Sequence, residues 1–216
     1  MPDTPPPKPL DDATRALVTL AAAIAQGDEP AVREEVAEAI IAKVPLAWVD
    51  ELLLQSMLMV GWPRTLVAAG LWRQAVGAPA TDAESGLDYA EHADWTARGE
   101  ETCRLIYGDN YAKLRRNVSG IHPALDVWMI TEGYGRTLSR PGLDLVRREL
   151  CVIAQTAVLD TPRQLHSHLR GALNAGASPA LVEAVLTVVN PFLAYDHWKA
   201  VKELWDAVRD AWESVA

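Results

Sequence analysis

The sequence predicts an all-α protein, on three observations. No stretch of useful length alternates apolar and polar residues with a period of two. Apolar residues recur instead at spacings of three and four, the mark of helices with one buried stripe. Proline, Ser/Thr caps and glycines then cut the chain into helix-length pieces. With 216 residues, half of them apolar, the chain is long enough for one good core or two small ones.

The elements follow in order. MPDTPPPKPL is crowded with proline, so residues 1–10 read as a disordered tail. DDATRALVTLAAAIA reads as a buried helix with acidic residues at its positive end, stopped by Gln26-Gly27-Asp28. A more polar helix runs from about Glu29 to Lys43, with Val32, Val36, Ala39 and Ile40 inward. Pro45 starts a third, which Gly61 closes, and Trp62-Pro63 starts a fourth carrying Leu66, Ala69, Leu71 and Trp72. Residues 77–86, GAPATDAESG, are the best linker. Residues 11–76 thus form an N-terminal helical repeat and 87–216 a second unit.

That second unit holds a helix or two up to Tyr107-Gly108, another from about Asn110 to Val118, and PALDVWMITEGYGRTL, which presents Leu125, Trp128, Met129 and Tyr134. Gly133 and Gly135 each cost a helix about 1 kcal/mol relative to Ala, which points to close packing around Tyr134. A hairpin comes next. Its first helix spans about Leu143 to Leu159, with Leu145, Val146, Leu150, Ile153, Ala154, Ala157 and Val158 on one stripe. Its second opens with Thr161 as N-cap, Pro162 at the first turn and Gln164 at N3, and ends at Asn174-Ala175-Gly176. Thr161, Gln164 and His168 share a face by spacing, whereas His166 points elsewhere. Ser178-Pro179 starts a further helix, Asn190-Pro191 interrupts it, and the last carries Trp198, Leu204, Trp205, Val208 and Trp212.

A weak internal repeat appears when Arg15 is laid on Arg148 without gaps. Leu17 then meets Leu150, Ala21 meets Ala154, Ala39 meets Ala172, Val49 meets Val182, and Leu71-Trp72 meets Leu204-Trp205. Glu149 falls opposite Ala16 and His168 opposite Glu35, so only the C-terminal copy keeps that polar pair.

Net charge is −9, which gives no basic footprint for nucleic acid or an anionic membrane. The two cysteines, Cys103 and Cys151, form no CxxC and fit a reducing compartment. With no apolar leader and no apolar run of membrane-spanning length, a cytoplasmic protein is expected. No His-x3-His, HExxH or CxxC spacing suggests a metal.

The motifs YGDNYAKL, HPALDVW, a Tyr-Gly before SRPGLDL, RREL, and QLHSHLRGALNAGAS leading into a Val-Glu-Ala-Val-Leu helix resemble the carboxymuconolactone decarboxylase family. The match runs from about Ile106 to Trp205, and GWPRTLVAAGLW is similar to a Gly-x-Pro segment of the same family. The resemblance implies the alkylhydroperoxidase D-like helical bundle, here as two fused, unequal repeats, and a homo-oligomer. In the peroxidase branch a CxxCxxxH motif performs disulfide chemistry; the corresponding positions here are Thr161, Gln164 and His168, so that cycle lacks its nucleophile. Glu149 and His168 survive from the family pattern as catalytic candidates.

A Glu and a His facing each other across a helical hairpin make an acid–base pair, because imidazole titrates near neutrality and a carboxylate fixes its tautomer. The resemblance implies a cofactor-independent decarboxylase or related lyase acting on a small carboxylated lactone or β-keto acid. His168 would donate the proton and Glu149 orient it. Arg140 or Arg148 would hold a substrate carboxylate, with Tyr134 and Gln164 further candidates to line the site. Two other readings stay open: a catalytically silent oligomeric binding or scaffold module, in which Glu149 pairs locally and His168 closes a buried hydrogen bond, and a thiol-dependent antioxidant protein using Cys103 or Cys151.

Overall fold

The computed structural model describes residues 10–77 and 91–214. The expected tail and linker lie outside the described residues except at one end each. Leu10, read as tail, is in fact buried in the core. Gly77 takes a left-handed conformation and closes a helix.

Helix α1 (Asp12–Gln26) is capped by Asp11, whose carboxylate accepts from the Thr14 N–H at 2.8 Å, and is stopped by left-handed Gly27. Asp28 caps α2 (Glu29–Ile41) in the same way. Helix α3 (Leu46–Val76) contains a break at Gly61, where φ 73 and ψ 173 are open only to glycine, just before Pro63. By length and composition α3 is apolar enough to cross a membrane. The break at Gly61 divides it into two arms, each well short of the ~20 residues a membrane-spanning helix needs.

The C-terminal repeat contains α7 (Leu145–Val158), α8 (Pro162–Asn174), α9 (Pro179–Val189) and α10 (Tyr195–Glu213). Its helices start at 145, 162 and 179, and those of the N-terminal repeat at 12, 29 and 46, so each start is displaced by the same 133 residues. The second arm of α3 follows Gly61 as α10 follows the turn Asn190–Phe192. Apolar residues and breaks therefore agree, and the chain is two helical repeats.

Corresponding helices α1 and α7 make the most extensive contact between the repeats. Leu17, Ala21 and Ile24 of α1 and Leu150, Ile153 and Ala154 of α7 are fully buried in one shared core, each Leu or Ile contributing about 1.5–3 kcal/mol. Trp72 and Trp205, matched by the repeat, are both buried in it.

Between the repeats lie α4 (His92–Tyr107), α5 (Tyr111–Ile121) and α6 (Pro123–Trp128), which runs on into a π-helix, Met129–Leu138. Thr137 Oγ1 donates to the Glu132 carbonyl five residues back, 2.7 Å away, consistent with the wider winding. Helix α4 lies against this π-helix, and a Cβ on Gly99 or Gly135 would collide with the backbone of Ile130 or Trp95. Gly135 is thus the close-packing residue, whereas Gly133 faces open space. The i→i+5 winding also breaks the register that was expected to turn Trp128 and Tyr134 inward together. Tyr134 is buried, but Trp128 is 59% exposed.

Candidate active site

Helix α7 starts two residues later than periodicity suggests because Asp144 is its cap, accepting from the Arg147 N–H at 3.0 Å. From Arg148 to Ala157 every residue is buried, since α1, α3 and α8 pack around the helix. Arg148 and Glu149 sit about 100° apart on it and point to opposite duties.

The Arg148 side chain has no exposure and is fully engaged. Its guanidinium donates to Glu51 Oε2 (2.8 Å), to the carbonyls of Arg140 (2.8 Å) and Leu143 (3.0 Å), and to Gln55 Oε1 (3.3 Å). Arg140 Nε donates to both oxygens of the same Glu51 at 3.1 and 3.2 Å. Burial pushes the Arg148 guanidinium down from its ordinary value, and Glu51 acts in the opposite direction. Both arginines expected to hold a substrate carboxylate are thus drawn onto a carboxylate of the chain, supplied by the N-terminal repeat. Glu51 was not legible as their partner, because nothing in sequence joins positions so far apart.

Glu149 is also wholly buried and points the other way, to α8. Its Oε2 lies 2.9 Å from His168 Nδ1, and His168 is 6% exposed on the inner face of α8 between Leu165, Leu169 and Ala172. An ionised carboxylate only accepts, so Nδ1 carries a proton in this pairing. Nε2 has no protein partner among the described residues and is not one of the sealed, unpartnered polar atoms, so it is reachable by solvent. Glu149 Oε1, by contrast, is sealed and without a hydrogen-bond partner. A buried carboxylate with one free oxygen is costly, and this one is held at a site rather than used as a cap.

Two residues complete the surroundings. Gly171 faces the carboxylate: a Cβ there would stand 2.5 Å from Glu149 Oε2 and 2.7 Å from Ile106 Cγ2. Only glycine lets α8 approach this closely, and its mid-helix position was the one sequence signal that could have revealed it. Tyr107, at the end of α4, meets Tyr134 edge to face with ring centroids 6.2 Å apart. Burial pushes the Tyr107 hydroxyl up to about 12, against the pull of hydrogen bonding from Tyr134 and Ser167, and Tyr134 is raised well above its ordinary range, chiefly by burial, with the Tyr107 and Glu149 charges adding. Tyr134 therefore stands close enough to Glu149 for that charge to act on it.

Among the described residues the helical hairpin recurs in both repeats, whereas the buried carboxylate–histidine contact occurs in the C-terminal one. The model of the carboxymuconolactone decarboxylase family matches residues 4–74 and 125–207. The chain belongs to the carboxymuconolactone decarboxylase family. Its two matched segments each cover most of one repeat, the second also taking in the end of α6 and the π-helix before α7, and the family fold is the all-α, alkylhydroperoxidase D-like bundle described above. No curated protein matches the chain.

The positions that the resemblance sets against the peroxidase thiols are Thr161 and Gln164. Thr161 does not cap α8 through its hydroxyl, which instead donates to the Thr156 carbonyl at 3.1 Å. Gln164 is exposed on α8. Cys103 and Cys151 are buried, and burial raises both thiols to about 12, leaving almost no thiolate at neutral pH. Among the described residues no three His, Cys, Asp or Glu side chains converge as metal ligands would.

Proposed function

We propose that this family member is a cofactor-independent lyase that decarboxylates a small carboxylated lactone or β-keto acid by Glu149–His168 acid–base chemistry. The observation that carries the reading is the 2.9 Å contact of His168 Nδ1 with fully buried Glu149, which leaves Nε2 reachable. In the reaction the bond from carbon to the departing carboxylate breaks and carbon dioxide leaves. The electron pair passes into the conjugated carbonyl as an enolate, and the proton on Nε2 of the His168 imidazolium goes to carbon. Glu149 compensates the imidazolium charge before that step, and water returns the proton afterwards. Positioned acid–base groups contribute roughly 10²–10⁴ in rate.

Turnover of a panel of unsaturated lactones and β-keto acids tests this, with His168→Ala as control. A loss of about a hundredfold or more in that variant supports the reading; turnover unchanged by it would sink the proposal. A second reading, a silent binding or scaffold module, draws on the burial of the same pair, and absence of turnover across the panel would favour it.

A further inference from the structure

Two adjoining clefts open on the outer side of α8. The first, of about 220 Å3, lies between α8 and α5 and is lined by Tyr107, Lys113, Arg170 and the amides of Asn110, Asn117 and Asn174, among others. The second, of about 610 Å3, extends it toward α10 and shares Tyr107, Asn110, Arg170 and Asn174.

Charge distinguishes the first cleft. In a chain with 29 acidic and 20 basic residues, cations are mostly matched: Arg115 by Asp126, Arg147 by Asp11 and Asp144, Arg140 and Arg148 by Glu51, Lys202 by Glu183. Among the described residues Lys113 and Arg170 have no such partner, and no carboxylate lines the first cleft. Two unmatched cations beside three side-chain amides are a donor set for an organic anion.

The walls are fixed. Arg115 clamps α5 to α6 through both oxygens of Asp126, at 2.5 and 2.9 Å, and reaches the Tyr111 hydroxyl at 2.8 Å. Asn174 Nδ2 donates to the Ile106 carbonyl at 2.6 Å, joining the end of α8 to the end of α4. Lys113 and Asn117 fall between the two segments matched by the family model. Tyr107 lines the cleft and meets Tyr134 edge to face behind it, with ring centroids 6.2 Å apart.

We propose that the cleft between α5 and α8 binds a small organic carboxylate through Arg170 and Lys113, at a site separate from the Glu149–His168 pair. His166 and Arg170 stand two residues either side of His168, about 200° around α8 from it, so the cleft and the acid–base pair open on different faces of that helix.

The test is calorimetric titration of the full chain at low salt with maleate, and with inorganic phosphate as a second anion, alongside NMR of the His166 ring. His166 lines the cleft, and burial together with the Arg170 charge pushes its pKa down; a bound carboxylate should raise it. Maleate binding weakened at least tenfold in Arg170→Gln and in Lys113→Gln, but unchanged in Arg163→Gln on the same helix, is the expected result. Absence of maleate binding, or equal binding in wild type and Arg170→Gln, would overturn the proposal, as would phosphate binding as tightly as maleate. Maleate binding with no turnover of any panel compound removes the acid–base reading and leaves the cleft standing.

Discussion

Replacing Gly171 by alanine tests the geometry of the pair more sharply than deleting either member. In an ordinary helix interior the change stabilises by about 1 kcal/mol. Here the added Cβ would lie 2.5 Å from Glu149 Oε2 and 2.7 Å from Ile106 Cγ2. Normal contacts are about 3.5–4.0 Å, so the carboxylate or α8 must shift by about 1 Å. Both neighbours are hemmed in, since Glu149 has no exposure and Ile106 is buried in the second core cluster. Overpacking of this kind costs about 1–3 kcal/mol, so the net change in stability falls between about 0 and 2 kcal/mol of loss. The consequence for the pair is larger, because a displacement near 1 Å can cost about a hundredfold in rate. Urea unfolding measures the first quantity. The second is read from the His168 ring by 15N NMR, where loss of the Nδ1–H···Oε2 bond changes the nitrogen shifts, and from turnover where a substrate is found. A Gly171→Ala protein with unaltered His168 resonances, or one more stable than wild type, would refute the reasoning.

The other predictions can be put briefly. Glu51→Ala leaves Arg140 and Arg148 buried near each other without their shared carboxylate, and unfolding experiments should show a loss of about 3–5 kcal/mol. Asp144→Ala removes the cap of α7 at a cost of about 1 kcal/mol. The Asp144 carboxyl is raised by burial but lowered overall by its bonds to Arg147, so its stabilising contribution is present above its unfolded pKa and fades as pH falls through the lower folded one; the Asp144→Ala difference, measured by unfolding at several pH values, should shrink on acidification. Alkylation of Cys103 and Cys151 in the native protein should be slow at pH 7 and accelerate only on unfolding, as a timed thiol assay reports. Trp128, with Leu125 and Ile121 beside it in sequence, stands exposed on α5 and α6, so Trp128→Glu should lower the oligomeric mass seen by light scattering if the chain associates through that face.

The fold was legible because its determinants are local. Caps at Asp11, Asp28 and Ser178, prolines at 162 and 179, and glycines at 27, 61 and 176 set the helices nearly residue by residue, and the 133-residue offset followed from the same punctuation. Glu149 and His168 were legible because one hairpin carries both, with a short turn that leaves few ways to face them. What depends on contacts across the chain was not. Arg140 and Arg148 look like free anion ligands until Glu51 arrives from α3. Trp128 looks inward until α6 widens into a π-helix. The unmatched charge of Arg170 appears only once every acidic neighbour has been placed.

The two repeats are unequal in a way that bears on the site. By the repeat offset Arg148 corresponds to Arg15 and Glu149 to Ala16, and His168 to half-buried Glu35, whose carboxyl is raised by burial and by Glu38 and Glu34. The N-terminal copy therefore has no acid–base pair, yet it contributes Glu51 and Gln55, which grip Arg148 from the far side of α7. A residue next to Glu149 and about 100° around the helix from it is thus fixed at four points. Rotation of α7 about its axis would break those bonds before it moved Glu149 away from His168. The copy that lost the chemistry sets the orientation of the helix that kept it, so Glu51→Gln should loosen the His168 contact from across α7, with the His168 ring resonances broadening even where the pair itself is intact.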